Sequence, residues 1–449
     1  VTTDHHPPRL SHPQSPRARC GAGRRLASLA VAAAALTQGT PSHALDFGPF
    51  FLTGFAKVDV TRGTNQCTNC QLYPEENKQR FWADEIIPGT TYGTQNETTT
   101  LFQPYLGARI DLGGGFKFNA LLSQRWRDGS ADIPGYLYEA NVGVSHEDYG
   151  SLRVGDMTSR GWSIADFPYG SDLGLSEEWA NSGAGYGLLI NAVRYTAPVL
   201  DVADGDLVLE VTYSAGDREF KINKPFFLEF WAQYRRGDLV LDAIVQETRN
   251  GNPQAFGQGP FTSLSPDAKN DAKLGSSSQG IVLLMGRYEI DSRFEVSGGV
   301  RRNYWSGAYA VLTDPGPPPL WNSMFNVDWG GTRNGVPNPG YSAWSLDYLA
   351  GLRYRWEKWI FATGMVYLGQ ANTANPSERG QSNSALINTL GAVYDVGYGF
   401  NVYGLVGMVN YREKGLSPMS MPTNSAFTNV DSRVAKHGNW VTLGVLFVF

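Results

Sequence analysis

Four carboxylates, Asp166, Asp172, Glu177 and Glu178, crowd into one long connecting stretch, Thr158 to Gly185. Six cations, Lys57, Arg109, Lys117, Arg125, Arg153 and Arg194, lie on segments of alternating polarity to either side of it. Held face to face across a narrow aqueous gap, such rows set up a transverse field that sorts ions by sign and orients dipolar solutes. The alternative is plainer: acids solvated in a surface loop, and strand arginines paired with neighbouring acids. The choice between them rests on where the surrounding elements place the stretch.

Other reactive side chains are few. Beyond residue 44 the histidines are His146 and His437. Hydrolytic catalysis uses a histidine beside a nucleophile or an activated water. His146 borders a tight turn and His437 opens a segment at the opposite end of the pattern, so both read as structural and no enzyme activity is expected. Acid pairs at a rim leave catalysis as a third-ranked reading. Cys67 and Cys70, in Asn-Gln-Cys-Thr-Asn-Cys-Gln, are expected to form a small disulfide that pins a loop. A redox pair and a zinc site rank behind it, and zinc would want two further ligands nearby. No metal and no cofactor are expected.

The chain has 449 residues, with 52 Gly, 22 Tyr, 22 Phe and 12 Trp and a mean hydropathy of -0.28. It is therefore polar overall yet heavily aromatic, and after residue 44 no apolar run is long enough for a transmembrane helix. Residues 1–44 read as an N-terminal extension and cleaved signal peptide. Arg24 and Arg25 lead into an apolar run, Leu26 to Leu36, and Ser42 and Ala44 fit the small-x-small cleavage rule, so the mature chain is expected to begin at Leu45. That segment holds Arg9, Arg17, Arg19, Arg24 and Arg25 against Asp4 alone, so residues 45–449 are more acidic than the formal net charge of -5. No nucleic-acid partner is expected of so acidic a chain.

Sixteen aromatic and β-branched segments follow, from Phe47 to Val60 through to Lys436 to Phe449, each long enough for a tilted membrane strand. The connections between them alternate long and short. Glu147 to Asp148, Gly237, Glu357 and Val396 to Gly397 sit in tight turns, whereas Thr61 to Glu97, Arg249 to Ser278 and Ser306 to Ala343 are long. Short turns at one end, long loops at the other and an even strand count describe an up-and-down outer-membrane barrel. Alternation supports it: Leu346, Tyr348, Ala350, Leu352 and Tyr354 share one face of their segment, with Asp347, Arg353 and Arg355 on the other. Charge opposite the lipid face means a polar interior, and at sixteen strands that interior is too wide for side chains to fill. The fold class expected is all-β, a 16-stranded antiparallel up-and-down transmembrane β-barrel over residues 45–449.

Three stretches then carry a resemblance to the general bacterial porins, especially the Gram-negative porin family of the β-proteobacterial type. The terminal Gly-Asn-Trp-Val-Thr-Leu-Gly-Val-Leu-Phe-Val-Phe resembles that family's last strand, and Tyr149-Gly150-Ser151-Leu152-Arg153-Val154-Gly155 resembles its fifth. Phe167-Pro168-Tyr169-Gly170-Ser171-Asp172 is similar to the stretch that the family folds inward as its pore constriction. The resemblance implies an inward-folded third loop, with Asp166, Asp172, Glu177 and Glu178 as constriction acids facing the six wall cations. It also implies that Phe449 is the C-terminal insertion signal read by the barrel-insertion machinery. The function implied is passive diffusion of ions and small hydrophilic solutes across the outer membrane of a Gram-negative bacterium, by a homotrimer in contact with outer-membrane lipids and lipopolysaccharide. A substrate-specific porin for sugars or carboxylates is the alternative. Asp156 stands where the family often has Arg and Tyr169 where it has Glu, so the family's ion selectivity does not carry over.

Overall fold

The structure is a computed structural model, which describes residues 45–64, 78–80, 86–88, 94–131, 137–163, 185, 187–216, 224–249, 277–307, 331–333, 336–338, 342–370, 372–374, 382, 384–412 and 437–449. Residues 1–44, Cys67 and Cys70, and the loop acids Asp166, Asp172, Glu177 and Glu178 lie outside the described residues.

Sixteen long strands make the frame. The first eight are β1 (Phe50–Thr64), β2 (Thr94–Gly113), β3 (Phe116–Ser123), β4 (Glu139–His146), β5 (Gly150–Thr158), β6 (Leu188–Thr196), β7 (Gly205–Ser214) and β8 (Phe226–Arg236). The second eight are β9 (Leu239–Arg249), β10 (Ser277–Glu289), β11 (Phe294–Gly307), β12 (Ala343–Trp356), β13 (Trp359–Leu368), β14 (Ala385–Gly397), β15 (Phe400–Tyr411) and β16 (His437–Val448). Each of the sixteen segments read from the sequence carries one of them. Every strand pairs antiparallel with its neighbours in the chain, and β1 closes against β16 from Phe55↔Val448 to Thr64↔Asn439. Closure leaves no ladder edge, which is the condition for a sheet to cross hydrocarbon.

Alternation fixes the two faces, because successive side chains of a strand point to opposite sides. On β16, Val441, Leu443 and Val445 are exposed on the outside while Trp440, Thr442 and Gly444 are buried on the inside. Trp344, Tyr348, Leu352 and Trp356 repeat this on β12, opposite the buried Ser345, Asp347, Leu349 and Arg353. An exposed band of this kind around a closed barrel suits lipid. Aromatic rings gather at both of its margins: Trp356, Trp359 and Tyr398 by the short turns, Trp126 and Trp344 by the long connections.

Tight hairpins set the short-turn end. Arg236 pairs with Leu239 across a two-residue turn in which Gly237 takes φ 55°, and Trp356 pairs with Trp359 across one in which Glu357 takes φ 53°. Positive φ matches the twist of the flanking strands. Glycine adopts it freely, whereas Glu357 does so at roughly 1–2 kcal/mol. At the seam, Gly54 and Phe449 exchange backbone hydrogen bonds of 2.8 and 3.0 Å, and Thr53 Oγ1 donates to Phe449 O at 2.6 Å. A Cβ on Gly54 would run into the Gln103 carbonyl, so this seam admits only glycine there. The Phe449 ring stacks with Phe102 and Phe447, which ties the chain terminus into the outer aromatic band.

The turn between β10 and β11 is held by Asp291, whose Oδ1 accepts from the Arg293 and Phe294 amides at 2.7 and 2.8 Å. These two donors hold its carboxyl below the ordinary Asp range. A depressed pKa means that the carboxylate's contribution is present above the unfolded value, about 3.9, and is lost as pH falls through the lower folded value. NMR titration of the carboxyl is expected to give a midpoint below about 3.9. A midpoint at or above that value would mean that the two amides do not hold the charged form.

Candidate functional site

The interior face is the candidate site, and three sectors of it differ in chemistry. The first is where the chain leaves β5. Ser159 N donates to Gly187 O at 2.7 Å, closing the base of the third long connection, and residues Arg160–Ser163 then make one helical turn capped by Ser159 Oγ on the Trp162 amide. This turn runs along the inner wall of the next strands. The Arg160 and Gly161 amides donate to Glu229 Oε1 and Oε2 at 2.7 and 2.9 Å, and Gln246 Nε2 donates to the same carboxylate. The Arg160 guanidinium forks onto Glu210 at 2.6 and 2.7 Å and lies over the Trp231 ring at 4.8 Å. A carboxylate facing two consecutive amides and another facing a guanidinium fork are among the stronger hydrogen-bonded arrangements available to a chain. The described start of the third long connection therefore turns inward, clamped to β7, β8 and β9.

The six cations expected to form the wall all lie on β1, β2, β5, β6, β3 or the coil directly after β3, and the structure gives them different partners. Lys57 Nζ is 2.9 Å from Asp59 Oδ2, and Tyr403 donates to the other oxygen of Asp59. Arg109 lies over the Phe51 ring at 4.6 Å, and Lys117 is exposed. Arg125 donates through Nε to Gln103 and lies over Tyr138. Arg153 stands opposite Arg194 in the β5–β6 register. Arg194 is itself tied down: its Nε reaches Thr212 Oγ1 at 2.8 Å and Glu210 at 3.1 Å, and its Nη2 donates to Thr158 O at 2.7 Å. For Lys57 and Arg194 the plainer alternative, pairing with a neighbouring acid, describes what is seen.

The second sector lies on β10, β11 and β12. Glu295, almost fully buried, gathers three guanidinium groups: Arg353 at 3.1 Å, Arg355 at 3.1 Å and Arg287 at 3.6 Å. Arg355 also stands 3.6 Å from Glu289. Nearer the long connections, Arg301 donates from Nε and Nη2 to Asp347 Oδ2 at 3.1 and 2.7 Å. Asp347 also accepts from Asn303 Nδ2 and from the Gly369 amide. The third sector, on β13 to β16, is largely apolar. Val366, Leu368, Ile387, Leu405, Val409 and Trp440 face inward there, so the interior charge is concentrated on β1 to β12.

Sequence reasoning passed over Arg160, Glu210 and Glu229, and did not assign Arg287, Glu295, Arg301, Asp347, Arg353 and Arg355 to a site. A signal was present for the last group, since Asp347, Arg353 and Arg355 share the inward parity of their strand. For Arg160 there was none, because it lies on no alternating segment, although Glu210 and Glu229 stand on two such segments.

No family model matches the chain, and no curated protein matches it. Solved structures do. The anion-selective porin from Comamonas acidovorans superposes with a TM-score of 0.54 at 12% identity, covering 89% of this chain and 99% of that one. The in-vitro folded trimer form of OmpT, an outer membrane protein of Vibrio cholerae, gives 0.55 at 13% identity, covering 90% and 100%. Salmonella typhi OmpF in complex with daunomycin gives 0.54 at 12%, again covering 90% and 100%. At these identities the likeness is one of fold, and the fold is that of the sixteen-stranded porins.

Proposed function

We propose that this chain is an outer-membrane porin, a water-filled channel through which ions and small hydrophilic solutes diffuse passively. The observation that carries the reading is the closed sixteen-stranded barrel with an apolar, aromatic-edged outside and charged residues on two of its three interior sectors. A barrel of this strand number leaves room for an aqueous path, and its fold neighbours include porins. The long connections face the cell exterior and the short turns the periplasm, as is general for such barrels. Phe449 serves as the signal for the insertion machinery, and three copies associate in contact with outer-membrane lipids and lipopolysaccharide. Cys67 and Cys70 pin the first loop as a disulfide.

Selectivity in this reading comes from the third connection. The inward turn of its described start, Ser159 to Ser163, supports reading Asp166, Asp172, Glu177 and Glu178 as an acidic constriction opposed by Arg109, Lys117, Arg125 and Arg153. Solutes move down their gradients, so no chemical step is involved. The placement of the histidines agrees with a channel: His146 bonds Gly114 O at the short-turn end, and His437 bonds Asn410 at the other.

Single-channel conductance and reversal potential of the refolded mature chain in a planar bilayer test this. Large ohmic conductance is expected, and Asp172→Asn or Glu177→Gln should shift the reversal potential toward anions, with the shift fading as salt screens the site. Absent conductance, or chloride conductance that one sugar or carboxylate class blocks saturably, would favour a substrate-specific or plugged barrel. A chain that partitions without detergent and opens no channel would sink the reading.

A further inference from the structure

Three guanidinium groups around one carboxylate are more than a strand-to-strand tie needs, since one forked pair already meets both oxygens of a carboxylate. Glu295 has Arg353 on one oxygen and Arg355 on the other, with Arg287 behind. The exposure of these groups is graded. The side chains of Glu295, Arg353 and Arg287 are 2%, 6% and 8% exposed, whereas those of Arg355 and Glu289 are 24% and 35% exposed. Arg355 meets both acids through Nη2, and its side chain, on the inward parity of β12, keeps 24% of its surface exposed. Counting charges, Arg287, Arg353 and Arg355 stand against Glu289 and Glu295. Widening the circle to β8 and β9 adds Arg235, Arg236 and Arg249 against Glu229, Asp242 and Glu247, so among the described residues the surplus stays positive. Asp242 is moreover engaged by Trp231 Nε1 and Gln233 Nε2. Glu295 sits at the start of β11 and Arg355 near the end of β12, so the surplus lies at the short-turn mouth, well away from the third connection.

We propose that Arg355, backed by Arg287 and Arg353, forms an oxyanion station at the short-turn mouth of the barrel, taking small solutes that present a carboxylate or phosphate. A guanidinium edge matches the two oxygens of such a group, where an ammonium offers only a point charge. The buried pair Glu295 and Arg353 fixes the wall, and the exposed edge of Arg355 meets the solute. Transit is then favoured for oxyanions over halides of the same charge. This inference rests on the channel reading for its consequence but not for its site.

Two measurements on the detergent-purified full-length mature protein test it. In planar bilayers at about 0.1 M salt, where the Debye length is still ~10 Å, currents carried by acetate and by phosphate are expected to saturate while chloride currents stay linear. Arg355→Gln should abolish the saturation and lower the oxyanion-to-chloride permeability ratio about threefold, the order expected for one charge near an aqueous surface. Arg355→Lys should keep the sign preference and lose most of the saturation. Linear acetate and phosphate currents in the native protein, or saturation unchanged in Arg355→Gln, would overturn the station. Phosphorus NMR line broadening of inorganic phosphate by the solubilised protein reads the same site without conductance. Broadening lost in Arg355→Gln supports the station even if no channel opens, which would then sink the channel reading alone. No broadening in a protein that opens no channel overturns both.

Discussion

Glu210→Ala is expected to lower stability by about 3–5 kcal/mol, because it strands two buried cations at once. Glu210 receives the Arg160 fork from 50 residues away, and the Arg194 Nε and the Thr196 hydroxyl from β6, the strand paired with its own. Removing it leaves Arg160 and Arg194 facing each other in a buried wall with their common acceptor gone. Glu210→Gln keeps one acceptor oxygen and the side-chain volume, so its loss should be clearly smaller. Guanidinium chloride unfolding in micelles, followed by tryptophan fluorescence, measures both. The clamp predicts a second readout that general destabilisation does not: under conditions where the variant remains folded, open-channel current noise should rise, because the start of the third connection is freed from β7. Quiet current in a folded Glu210→Ala barrel would mean that Glu229 alone holds the turn.

The Arg301–Asp347 pair should behave in a way that separates a tie from a stabiliser. Both side chains are nearly fully buried, at 2% and 3% exposure, so either Arg301→Ala or Asp347→Ala should cost about 3–5 kcal/mol by breaking a buried ion pair while one of its charges stays in the wall. Replacing both by leucine should recover at least about half of that loss, since a buried ion pair often does little better than well-packed apolar side chains of similar size. Recovery will be incomplete because Asn303 Nδ2 and the Gly369 amide also lose Asp347 as acceptor. A double-mutant cycle measures the coupling. If the double leucine variant were as unstable as the sum of the two single variants, the pair would not be coupled and the wall would not rest on it.

Both expectations concern side chains that meet across long stretches of chain, and this marks where the sequence stops being informative. Strand identity, strand number and the facing of each side chain follow from a period of two, which is local and survives without knowledge of any partner. Leu346 to Tyr354 on one parity, with Asp347, Arg353 and Arg355 on the other, already declares an outside and an inside. The alternation of long and short connections is equally local, and with the even strand count it leads to an up-and-down barrel. The C-terminal pattern ending in Phe449 placed the last strand, although its bonds to Gly54 and Thr53 depend on closure.

Pairing inside the barrel was decided by tertiary structure alone. Arg194, read from the sequence as an open wall cation, is instead shared between Glu210, Thr212 and Thr158, because β6 and β7 meet in a register that puts Arg194 opposite Thr212. Arg160 meets Glu210 and Glu229 across 50 and 69 residues, and the cluster around Glu295 draws on three strands. Parity can say that a charge points inward. Only register, and the closure of β16 on β1 that fixes every register together, determines which opposite charge it finds there. The sequence by itself therefore determined a sixteen-stranded barrel with a charged interior, and the folded structure decided which charges cancel and where a surplus remains, because an ion pair depends on distances of a few ångströms that no local pattern encodes.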